Sequence, residues 1–154
     1  MSTKMKWIVI VLSVLLVIAA AVFFSWLHVD GVKLPLPEVQ DTTGYVTRLD
    51  IGLDTETGTA THDTVSFDMT DTQVADFLQL LRNSSYRRTR YGNSVSFDGE
   101  MVYTISLSYR EENKTEILMI SVLDNELISV GVEFGYLQIT DSDFLVKLQA
   151  ILEN

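Results

Sequence analysis

One basic island, Tyr86 to Tyr91 (YRRTRY), sets Arg87, Arg88 and Arg90 between two tyrosines. Guanidinium groups clasp carboxylates and phosphates through paired N–H donors, and tyrosine adds stacking area at small entropic cost. Arg87, Arg88, Arg90, Tyr86 and Tyr91 therefore form the candidate partner-binding site, facing an anionic wall polymer or an acidic protein segment. In strand geometry Tyr86, Arg88 and Arg90 share one face, and Arg87 and Tyr91 the other. The competing role is a charged edge strand that discourages aggregation. In that case the arginines pair with the domain's own carboxylates, at ~0–1 kcal/mol per surface pair.

No other set of residues assembles into a catalytic or metal-binding pattern. Cysteine is absent, which removes thiol nucleophiles and thiolate ligands. The only histidines, His28 and His62, are far apart in sequence and have no ligand-spaced partner. The sequence has no G-x-S-x-G elbow, no phosphate-cradling glycine loop and no H-E-x-x-H. Asp54-x-Glu56-x-Gly58 has the opening spacing of a calcium loop but lacks the later carboxylates, so it reads as a hairpin turn. Glu111 and Glu112 read as a solvated turn. The expectation is a protein without catalytic residues, metal or cofactor. The alternative is an envelope hydrolase whose site follows no familiar motif.

These residues must be positioned by what surrounds them, beginning with Trp7 to Val29 (WIVIVLSVLLVIAAAVFFSWLHV). As a helix rising ~1.5 Å per residue the run reaches ~34 Å, against a hydrocarbon core of ~30 Å. Trp7 and Trp26 stand near its ends, where indole rings favour the headgroup level. The reading is a transmembrane helix over residues 7–29 that contacts the lipid bilayer. A cleaved signal is the rival, with Ala19-Ala20-Ala21 as its cleavage context. Against it, signal cores run ~7–15 residues, and cutting there would leave Val22-Phe23-Phe24 as the new terminus. Lys4 and Lys6 precede the span without an acid, so residues 1–6 are expected in the cytoplasm and the rest outside.

The net charge is −10, and Lys4 and Lys6 contribute +2 of it, so residues 30–154 carry −12. A body this acidic repels nucleic acid, which is excluded as a partner. An outside domain without cysteine must rest on packing alone, since disulfide scaffolds are dense in that residue. Residues 30–41, with Pro35 and Pro37, read as an extended stalk. Residues 42–154 read as one extracytoplasmic domain, and 38–154 are expected to fold without the membrane.

Within that domain, alternation marks strands at Tyr45–Leu53, Val65–Met69, Met101–Arg110, Thr115–Leu123, Leu127–Glu133 and Tyr136–Ile139. Helical stripes run through Val74, Phe77, Leu78 and Leu81, after a cap at Thr70 or Asp71, and through Phe144, Leu145, Leu148, Ile151 and Leu152. The fold class is α+β: one transmembrane helix, then an antiparallel sheet of about six strands with two amphipathic helices packed on it.

The Lys-bearing start, the apolar run, Leu34-Pro35-Leu36-Pro37 and the closing YLQITDSDFL before a terminal helix give the chain a familiar layout. It resembles small single-pass membrane-anchored proteins of Gram-positive bacteria with an extracytoplasmic domain of unknown function. The resemblance implies a location at the cell envelope and carries no functional residues over. The expected function is a binding or interaction module whose partner is an envelope protein, a peptide or a wall component.

Overall fold

The computed structural model describes residues 3–53, 59–89, 101–131 and 135–153. Helix α1 spans Thr3–Leu27, and its Trp7–Leu27 portion is long and apolar enough to cross a membrane, with none of it buried inside the protein. A signal sequence can also be this long and this apolar. The chain passes from α1 into strand β1 (His28–Asp30) with no residue between them. A 3-10 turn, Gly31–Lys33, follows.

The remaining elements in order are β2 (Thr43–Leu53), β3 (Ala60–Met69), α2 (Asp71–Asn83), β4 (Ser85–Arg88), β5 (Met101–Glu111), β6 (Lys114–Leu123), β7 (Leu127–Val130), β8 (Tyr136–Ile139) and α3 (Phe144–Leu152). The class is α+β, as the sequence implies, with a single antiparallel sheet in the order β1-β4-β8-β7-β6-β5-β2-β3. The expected total of about six strands becomes eight among the described residues. The added strands are β1 and β4, which pair Val29 with Tyr86. The β1 sequence, His28-Val29-Asp30, cannot be told from the tail of the apolar run, and its partner lies far along the chain. Strand β3 also begins earlier than expected, at Ala60, because Thr61 to Thr64 continue the ladder opposite Gly52 to Leu49.

Alternation decides which face of the sheet is covered. Val46, Ile105, Ile120 and Val130 lie side by side across β2, β5, β6 and β7, and all are buried. Val74, Phe77, Leu78 and Leu81 of α2 join this core, as do Phe144, Leu148 and Leu152 of α3. Helix α2 starts with a capping box: the Gln73 N–H donates to Thr70 Oγ1 at 3.2 Å, and the Thr70 N–H donates to Gln73 Oε1 at 2.9 Å. The same Gln73 donates through Nε2 to the Ile151 carbonyl at 3.1 Å, tying α2 to the end of α3. The β5–β6 hairpin closes on Glu112 and Asn113, both at positive φ (46° and 69°), the geometry of a two-residue primed turn.

The segment after β1, expected to be an extended stalk, is held against the domain. Leu34 is buried, Leu36 is partly buried, and Arg82 Nη2 donates to the Pro37 carbonyl at 2.6 Å. At Gly31 the backbones meet closely. Its N–H donates to the Ser84 carbonyl at 2.9 Å, and a Cβ there would collide with the Leu81 carbonyl oxygen.

Candidate functional site

The basic island does not form one surface. Tyr86 is fully buried and its hydroxyl donates to the Leu81 carbonyl at 2.9 Å, so it is a core residue with no face to offer a partner. That corrects its place in the sequence-based site: alternation put Tyr86 beside Arg88, and that side of β4 turns inward. Arg88 reaches back to the end of α1. Its guanidinium lies 5.3 Å from the Trp26 ring centroid, and Nε donates to the Trp26 carbonyl at 3.2 Å. Arg87 points to the opposite side, is exposed, and stands across from His28 on one neighbour and Gln138 on the other. Arg90 and Tyr91 lie outside the described residues, as does the Asp54–Gly58 link.

The histidines stay apart. His28 Nε2 lies 2.9 Å from Asp30 Oδ1, which makes a local surface pair, and His62 is exposed on β3 opposite Ile51. No group of three or more His, Cys, Asp or Glu converges among the described residues.

Two surfaces stand out that sequence reasoning did not select. The first is an open groove of about 810 Å³ where the 39–43 segment meets the start of α2 and the end of β5. Asp41, Asp71, Tyr109 and Arg110 line it. Desolvation by burial pushes the Tyr109 phenol above its ordinary range, with the charges of Glu111 and Glu116 adding to the effect. The groove brings carboxylates and a guanidinium to one place, but its described lining holds no histidine to act as a base toward Ser108.

The second is the sheet face turned away from both helices. Tyr45, Ser106 and Met119 are neighbours in register across β2, β5 and β6, and Ile117 lies one pleat further along β6. Tyr45, Ile117 and Met119 are 46%, 67% and 56% exposed. A depression of about 320 Å³ lies beside them, lined by Tyr45, Asp68, Ser106 and Ile117. Strand β3, the last in the order, pairs only with β2 among the described residues and leaves a long backbone edge next to this face. The face closes toward Leu123 and Leu127, which are buried outside the main core. Alternation could have flagged Ile117 and Met119, since β6 is apolar on both sides. That pattern reads more naturally as a doubly covered central strand.

The class these features define is an α+β protein: an N-terminal apolar helix joined directly to an antiparallel sheet with α2 and α3 packed on one face. No family model, curated protein or solved structure matches the chain.

Proposed function

We propose that the chain is a membrane-anchored interaction module of the cell envelope, with its N-terminus in the cytoplasm and its sheet domain outside. It docks another envelope protein on the helix-free face of the sheet. The observation that carries this reading is the exposed trio Tyr45, Ile117 and Met119, set on a face that neither α2 nor α3 covers. A contiguous exposed apolar patch with a polar rim is the usual mark of a protein-binding surface. Here Ser106 lies within the row between Tyr45 and Met119, Ser108 and Asp68 border it, and the adjacent β3 edge can add backbone hydrogen bonds to an extended segment of the partner. Orientation rests on Lys4 and Lys6 ahead of the span.

The test is in-cell photocrosslinking with the reactive residue placed at Ser106, and at Val146 on the exposed side of α3 as a control. Capture of a defined protein at position 106 alone, lost in a Tyr45→Ser, Ile117→Ser, Met119→Ser variant and insensitive to salt, is the expected result. Equal capture at both positions, or capture that survives the triple change, refutes the reading.

A further inference from the structure

We infer that the free edge of β3 pairs with β3 of a second copy of this chain, antiparallel about a two-fold axis at Val65. The inference rests on the reading of that edge as a binding surface, and it names the occupant. Strand β3 stands last in the sheet order and pairs only with β2 among the described residues. Ala60 to Ser66 are all exposed along it. The outer side of such a strand is a row of backbone donors and acceptors, a template for another strand. Because β1 lies at the opposite end of the sheet, pairing at β3 leaves β1 of each copy at the outer ends.

Side chains select the register. Directly opposed residues of an antiparallel pair point to the same face, so a symmetric pair centres on one residue. Centring on Asp63 or Asp68 would set carboxylate against carboxylate. Centring on Val65 sets Thr64 opposite Ser66 of the second copy and His62 opposite its Asp68, each contact made twice by symmetry. These four residues share the helix-free side, opposite Leu49, Thr47, Ile51 and Tyr45 of β2. Of the possible centres from His62 to Asp68, Val65 alone brings the strand's one imidazole to a carboxylate. An imidazole N–H donates to a carboxylate whether or not the ring is charged. Among the described residues, no ion pair or side-chain hydrogen bond already holds His62 or Asp68. On the other side Val65, 47% exposed, meets its own copy at the axis. There Thr61 meets Met69, and Asp63 stands beside Phe67 at the solvent surface.

The chain has no cysteine, so Val65→Cys introduces a single thiol at the axis. In the full chain, purified in detergent and mildly oxidised, it should join most of the protein as a covalent dimer. Val146→Cys, exposed on α3, should not. Adding Asp68→Lys to Val65→Cys should cut the dimer about tenfold. The exchange of His62→Asp with Asp68→His should restore it. A Val65→Cys chain that is folded yet stays monomeric overturns the inference. So does one that crosslinks as fully with Asp68→Lys, or no more than Val146→Cys does. A photoreactive residue at position 65 that captures, in cells, a different protein and no copy of this chain assigns the edge to that protein and also overturns it. Loss of the dimer while capture at position 106 persists overturns this pairing alone. Loss of that capture while the dimer persists leaves the pairing standing and overturns only the docking on the sheet face.

Discussion

Tyr86 shows how one buried hydroxyl links the sheet to α2 and to solution pH. Its O–H satisfies the Leu81 carbonyl, one of the last acceptors of α2 that the helix itself leaves unpaired. Burial, the main cause, holds the phenol well above its ordinary range; the charge of Asp141 adds to this and a hydrogen bond with Ser84 opposes it. Below pH ~10 both folded and unfolded chains keep the proton. Above that, the unfolded chain ionises first, so stability falls as pH rises past ~10. Tyr86→Phe should cost ~0.5–1.5 kcal/mol at neutral pH and should flatten the alkaline loss, as read by urea midpoints across a pH series. At Gly31 the constraint is steric, since a Cβ would also lie 2.7 Å from the Arg82 carbonyl oxygen. Gly31→Ala should therefore destabilise by ~1–3 kcal/mol, and a change near zero would mean that the β1 segment is not seated against α2 as described.

At the scale of elements, the helices and the long central strands were legible in the sequence because their signals are local. The Val74-Phe77-Leu78-Leu81 stripe and the alternation in β5 each sit within one short window. The choice between Thr70 and Asp71 as cap resolves to Thr70, and Thr70→Ala should cost ~1 kcal/mol. Leu148 is fully buried beneath α3, so Leu148→Ala should cost ~2–5 kcal/mol, whereas Val146→Ala, on the exposed side, should stay within ~0.5 kcal/mol. Similar losses for both would mean that α3 is rotated from this packing. The candidate site was less legible. Period-two reasoning correctly grouped Tyr86 with Arg88, but the inward face of a short strand is chosen by distant partners: Val29 on one side and Ile139 on the other.

For the whole molecule, the boundary between the apolar helix and the domain falls earlier than composition suggests. Val29 and Leu34 belong to the core, and β1 covers the edge of β4. A soluble fragment that starts at residue 28 should fold cooperatively. One that starts at 38 loses β1, uncovers β4, and should be less stable and prone to associate through that edge. Comparing the two by denaturation and sedimentation checks this, and equal behaviour would show that β1 is dispensable.

The junction of α1 and β1 also has a mechanical consequence. Any pull between the sheet domain and α1 must pass through β1, whose ladder with β4 has three register pairs, from His28 to Asp30. That ribbon should part before the long β5–β6 ladder feels the load. Its release, together with loss of the Gly31–Ser84 and Arg82–Pro37 bonds and of Leu34 from the core, would free the chain from His28 to about Thr42, up to ~50 Å when drawn out straight, while α2, α3 and the remaining strands stay folded. In a single-molecule stretching record the molecule should show a short, low-force extension ahead of the main rupture. The seven-strand remainder would then hang from α1 on a tether that did not exist before tension was applied.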